Sequence, residues 1–62
     1  MYFQIFKNPS LQQPYWWVIK SSGNHEIMCH SEMLSSKQAC INAIAKICRE
    51  AGSALYYDRT GE

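Results

Sequence analysis

The sequence predicts an α+β unit: three strands, one helix lying on one face of their antiparallel sheet, then a fourth strand. Three observations carry that reading. Three short aromatic and β-branched segments stand in a row, separated by turn-forming residues. Apolar spacing then changes from the alternation of a strand to the wider spacing of a helix, as happens when a chain leaves a sheet and packs across it. Directly after the helical stretch comes "ALYYD", again β-favouring.

The elements follow in order. "YFQIFK" (Tyr2 to Lys7) is rich in residues that suit a pleated, half-buried surface. Asn8 to Pro14 is a connector, because Asn-Pro opens it and a proline is tolerated only at a strand's start or edge. "YWWVIK" (Tyr15 to Lys20) is the second strand. "SSGN" (Ser21 to Asn24) supplies a tight turn, and "HEIMCHSE" (His25 to Glu32) is the third strand. Further on, Cys40, Ile44, Ile47, Cys48 and Ala51 form one stripe of an amphipathic helix, with Asn42, Lys46 and Arg49 opposite. Ser35 as N-cap with Gln38 three residues on makes a capping box, and Leu34 is placed to staple onto Ala39. Gly52 suits a left-handed residue after the helix, and Arg49 suits the dipole of the last turn. Ala54 to Asp58 is the final strand, and "RTGE" a loose tail.

Size limits what such a unit achieves. A single domain spanning residues 1–62 is expected, and a domain of roughly 60 residues buries only about 60% of its unfolded surface. Chains this small usually add disulfides, a metal or a partner chain. Cys29, Cys40 and Cys48 are odd in number and lack a C-x-x-C spacing, which points to reduced thiols and a cytoplasmic location. The opening residues carry no basic stretch leading into an apolar run, so secretion is not expected, nor is a membrane span. The formal net charge of +1 gives no electrostatic reason to expect nucleic acid or a membrane surface as partner.

Trp16 and Trp17 are adjacent, and adjacent strand residues point to opposite faces. One face then holds Phe3, Ile5, Trp17, Ile19, Ile27 and Cys29. The other holds Tyr2, Gln4, Phe6, Trp16, Val18, Met28 and His30. A solvated sheet face is normally mostly polar. Tyr2, Phe6, Trp16, Val18 and Met28 would instead form an apolar patch, the mark of a contact site. Two readings of Trp16 stay open: packing against Tyr2 or Phe6 within the sheet, and an interaction surface. Aromatic sheet faces also stack bases, but the charge balance and the missing Lys/Arg-Gly-aromatic signature leave nucleic-acid or small-ligand binding as the alternative only.

Chemistry is sparse. His25, Cys29 and His30 fall close together, yet His30 has the opposite parity and no second ligand pair has zinc spacing, so no metal or other cofactor is expected. Cys40 and Cys48 sit at core spacing and read as inert packing. No base is oriented toward a cysteine, the five carboxylates are scattered, and no glycine-rich phosphate loop occurs. An enzyme is not expected.

The run of motifs resembles the YegP-like family of small bacterial domains. The matching positions are Phe3, Ile5, Phe6 and Lys7; Trp17 and Ile19; Asn24, Glu26 and Ile27; Ser31 and Glu32; Ser36 and Lys37; Ile44 and Ile47; and Asp58 with Thr60. The sequence departs from the family at four of its usual residues. Val18 stands where arginine is usual, His25 where glycine completes the turn, Leu34 where an aromatic precedes the helix, and Ala43 where a helix glycine is common. The resemblance implies a β-β-β-α-β unit, one repeat per chain here, paired into a homodimer that exchanges C-terminal strands. Leu55, Tyr56, Tyr57 and Asp58 would then join the partner's sheet. The short Gly52-Ser53 hinge favours the same arrangement, since short hinges promote swapping and a swap enlarges a small core. The function expected is that of a non-enzymatic module contacting itself and, through the outer sheet face, another protein.

Overall fold

A computed structural model describes all 62 residues, Met1 to Glu62. Strand β1 (Tyr2–Lys7) and strand β2 (Tyr15–Lys20) have the bounds that the sequence suggests. They pair antiparallel, with Phe3 opposite Ile19, Ile5 opposite Trp17, Gln4 opposite Val18 and Phe6 opposite Trp16. Opposed residues share a face. Phe3, Ile5, Trp17 and Ile19 therefore lie on one side, which we call the inner face, and Gln4, Phe6, Trp16 and Val18 on the other. Each side gains an aromatic pair: Phe3 and Trp17 meet edge to face with centroids 5.8 Å apart, and Phe6 stacks on Trp16 at 5.4 Å.

Strand β3 is Ile27–His30, shorter than the expected His25 to Glu32. It pairs antiparallel with β2, giving the sheet order β1-β2-β3. At its start, His25 and Glu26 belong to the turn instead. Ser21 N–H donates to the Glu26 carbonyl at 2.9 Å, and His25 N–H donates to the Ser21 carbonyl at 3.0 Å. The left-handed residue of this turn is His25, at φ 59°, and not Gly23. A side chain in that region costs roughly 1–2 kcal/mol. Part of that cost is offset by the Tyr2 hydroxyl, 2.8 Å from His25 Nδ1, with the two rings edge to face.

β3 also carries a bulge that the alternation does not reveal. Val18 faces His30 and Ile19 faces Cys29, but Lys20 faces Ile27, so Met28 has no partner. One extra residue reverses the facing of what precedes it. Ile27, expected on the inner face, therefore lies on the outer face with Trp16 and Val18. Met28, expected to join that patch, is the bulged residue and is exposed.

Past His30 the chain keeps hold of β2 irregularly. Ser31 N–H donates to the Trp17 carbonyl at 2.9 Å, and Ser31 Oγ accepts from Trp17 N–H at 3.0 Å, filling the place of a ladder carbonyl. Leu34 and Tyr15 exchange backbone hydrogen bonds of 2.7 and 3.0 Å. That bridge keeps the chain extended through Ser36, so helix α1 (Lys37–Glu50) starts one residue later than expected. Ser36, not Ser35, is the N-cap, its Oγ accepting from Ala39 N–H at 3.0 Å. Gln38 closes no capping box and donates instead to Asn42, one turn on, at 2.9 Å. At the other end α1 tightens into a 3₁₀ turn, Ala51–Ser53, so Gly52 is not left-handed as expected.

α1 packs across β1 and β2. Cys40 on its inward stripe is fully buried, and Ala43, Ile44 and Ile47 are half-buried. Cys48 and Ala51 continue that stripe but are exposed. The buried core is very small: Val18, Ile19 and Cys40 alone. The radius of gyration is 13.7 Å, against roughly 11 Å expected for a compact chain of this length. The expected final strand, Ala54 to Asp58, is not formed. This segment is extended but pairs with no strand of its own chain, and Leu55, Tyr56 and Tyr57 are 79, 93 and 71% exposed.

Candidate functional site

The outer sheet face holds an apolar concavity of about 510 Å³. Trp16 and Val18 from β2 and Ile27 from β3 supply its sheet side. Leu11, from the connector between β1 and β2, and Met33, from the segment before α1, close in from two loops. No residue of α1 lines it, so the helix lies over the opposite, inner face. Val18, in the central strand, is 4% exposed, while Phe6, stacked on Trp16, keeps more than a third of its surface open.

The polar rim is His30, Ser31 and Glu32. His30 Nδ1 lies 3.1 Å from the Ser31 carbonyl. A carbonyl only accepts, so Nδ1 carries the proton in this contact, and in the neutral ring Nε2 is left as an acceptor. Ser31 Oγ is used twice inside the chain: it accepts from Trp17 N–H and donates to the Glu32 carbonyl at 2.7 Å. The Glu32 carboxylate is the one formal charge among the lining residues.

Of the residues expected on this face, the structure brings Trp16, Val18 and His30 into the concavity and sets Phe6 beside it. Tyr2 lies at the far end of β1, engaged with His25. Met28 is displaced by the bulge. Leu11, Ile27 and Met33 join them without a sequence signal that places them there. Loop residues have no period to read, and for Ile27 only the bulge, absent from the alternation, would have shown it.

Other candidate chemistry is dispersed. No three His, Cys, Asp or Glu side chains gather as metal ligands, and no helix is long and apolar enough to cross a membrane. All three cysteines are free; Cys29 and Cys48 are exposed, and burial pushes the Cys40 thiol pKa up. In the C-terminal segment, Asp58 Oδ1 accepts from Thr60 N–H at 2.9 Å and from Thr60 Oγ1 at 2.7 Å. These bonds, the backbone one first, hold the Asp58 carboxyl below the usual aspartate range. The Arg59 guanidinium lies 5.8 Å from the centroid of the Tyr57 ring.

Searches of curated proteins and of solved structures returned no match. A family model, described as a domain of unknown function, DUF1508, matches residues 13–58. That span runs from the end of the first connector through β2, β3 and α1 to Asp58, and so includes most of the concavity and the whole unpaired segment. The chain belongs to this family, the YegP-like domains.

Proposed function

We propose that the chain forms a homodimer through its C-terminal segment and works as a non-enzymatic protein-interaction module through its outer sheet face. Three features support the dimer. The buried core is three residues, too few to hold a domain of this size. The apolar stripe of α1 runs on, uncovered, at Cys48 and Ala51. Leu55, Tyr56 and Tyr57 are extended, apolar and unpaired, while both edges of the sheet are open. Strand exchange answers all three at once and follows the low-cost route to a symmetric pair.

The observation that carries the interaction reading is the concavity itself. Its volume lies in the range of ligand and anchor-residue pockets, and it sits on the face the helix leaves open. A large aromatic beside a nearly buried valine is the composition of an anchor site. Light scattering after size exclusion tests the dimer: twice the chain mass is expected, and a folded monomer at micromolar concentration would overturn it. Capture of partners from native lysate tests the face. Loss of a protein partner in Trp16→Ala, with the dimer intact, is expected. Capture of nucleic acid in its place would replace a protein partner with the alternative reading.

A further inference from the structure

We propose that the open edge of β3 and the outer concavity form one docking groove for a second copy of this chain, whose Ala54 to Asp58 segment lies along that edge and sets one tyrosine against Ile27 as a wall of the concavity. The inference rests on the dimer proposed above and adds where the segment docks and what it completes. The sheet has two open edges, β1 and β3. They are covered unequally. Tyr2 to Ile5 of β1 are half-buried, and α1 packs over β1 and β2. α1 does not reach β3, and every residue of β3 is exposed. Ile27 and Met28 each keep more than half of their surface open. Cys29, opposite Ile19 on the inner face, is exposed as well. The apolar surface still without cover therefore gathers at the β3 edge, on both faces of the sheet.

The concavity adjoins this edge, because Ile27 belongs to both. Backbone groups along a strand edge, with an apolar recess beside them, are what an added strand uses: the ladder gives affinity and the recess takes a side chain. The occupant has to be apolar and free of a ladder of its own. Leu55, Tyr56 and Tyr57 are mostly exposed and pair with no strand. Leu55 to Asp58 also matches β3 in length. Side chains alternate along a strand, so Tyr56 and Tyr57 fall on opposite faces. In either register one tyrosine meets Ile27 on the outer face, and the other comes down by Cys29 on the inner face. The area suffices. A buried tyrosine covers about 150–250 Å². Tyr56 and Tyr57 of both chains then account for about 600–1,000 Å², and the surface receiving them for about as much again, which reaches the roughly 1,200–2,000 Å² of a stable interface. One tyrosine takes only part of the concavity's 510 Å³ or so. The site open to another protein is then built from two chains.

The test mixes isotope-labelled and unlabelled full chain in equal amounts and records NMR contacts between the two. Expected are contacts from the Tyr56 or Tyr57 ring of one chain to the Ile27 methyls of the other. Ile27→Lys places a charge at the groove without disturbing the buried core, since Ile27 is exposed in the single chain. It should raise the dimer dissociation constant at least about tenfold, with the amide spectrum of the chain preserved. Tyrosine contacts to Phe3 or Ile5 in place of Ile27 would put the segment at the β1 edge, leaving the dimer and overturning the groove. An Ile27→Lys dimer of native affinity would overturn the groove in the same way. A folded monomer by light scattering would overturn the dimer itself, and the groove with it, so the two failures are told apart.

Discussion

The first turns of α1 and its last turns carry one apolar stripe in two different settings. Cys40 is fully buried and Ala43 and Ile44 are half-buried, whereas Cys48 and Ala51, two turns on, are exposed. The residue types do not differ enough to account for this; what differs is the cover. The sheet beneath α1 has three strands, and Ala54 to Asp58 adds no fourth. Under the dimer proposed above, the contrast means that the helix is patterned for a wider sheet than one chain supplies. An amphipathic stripe records the whole assembly, including any part contributed by another copy.

The strongest way to break this comparison is Leu55→Asp. If the exposed segment covers the partner, a charge there loses a burial worth about 1.5–3 kcal/mol per chain and adds a desolvation cost. The expected outcome is half the native mass by light scattering and loss of cooperative thermal unfolding. A dimer of unchanged mass and melting temperature would mean that the two ends of α1 differ for another reason.

Thiol kinetics sharpen the same contrast. Cys40 is buried, and its raised pKa leaves little thiolate, the reactive form. It should react with an aromatic disulfide reagent at least about tenfold more slowly than Cys29. Cys48 is the informative residue: slow in the native protein and fast in Leu55→Asp is the pattern expected if a second chain covers it. A Cys48 that reacts as fast as Cys29 in the native protein would place it at an open surface.

The smallest effect concerns the end of the exposed segment. The Thr60 bonds depress the Asp58 pKa, so their stabilising contribution is complete above the usual aspartate pKa and fades as pH falls through the depressed one. In Thr60→Val the side-chain bond is lost and the backbone bond remains. A carbon-detected NMR titration should show the Asp58 midpoint moving part of the way up toward the usual aspartate value of about 3.9. No movement would show that the Thr60 hydroxyl does not hold the turn.

Much of the frame is legible in the sequence. β1 and β2 are bounded by proline, asparagine, serine and lysine, and their alternation sets the register of Ile5 with Trp17. The inward stripe of α1 is equally plain around Cys40 and Ile44. Other features turn on choices between near-equal neighbours. Ser35 and Ser36 are both competent caps, and the backbone bridge from Leu34 to Tyr15 decides between them. The facing of Ile27 depends on one unpaired methionine, which no propensity distinguishes from a regular strand residue. Of the candidate site, Trp16 and Val18 follow from parity. Leu11 and Met33 arrive through loop geometry, which has no period to read.

The free edge of β1 has a further consequence for the single chain. Tyr2 to Lys7 reads YFQIFK, with three aromatics, one isoleucine, no proline or glycine, and one charge at its end. Its outer backbone groups pair with nothing in the single chain. Six residues of that composition on an open edge are the signature of a segment that templates cross-β growth. Lys7 is the only gatekeeper charge within the strand. Solubility during expression should therefore fall when Lys7 is replaced by an apolar residue, even where the folded protein is unchanged.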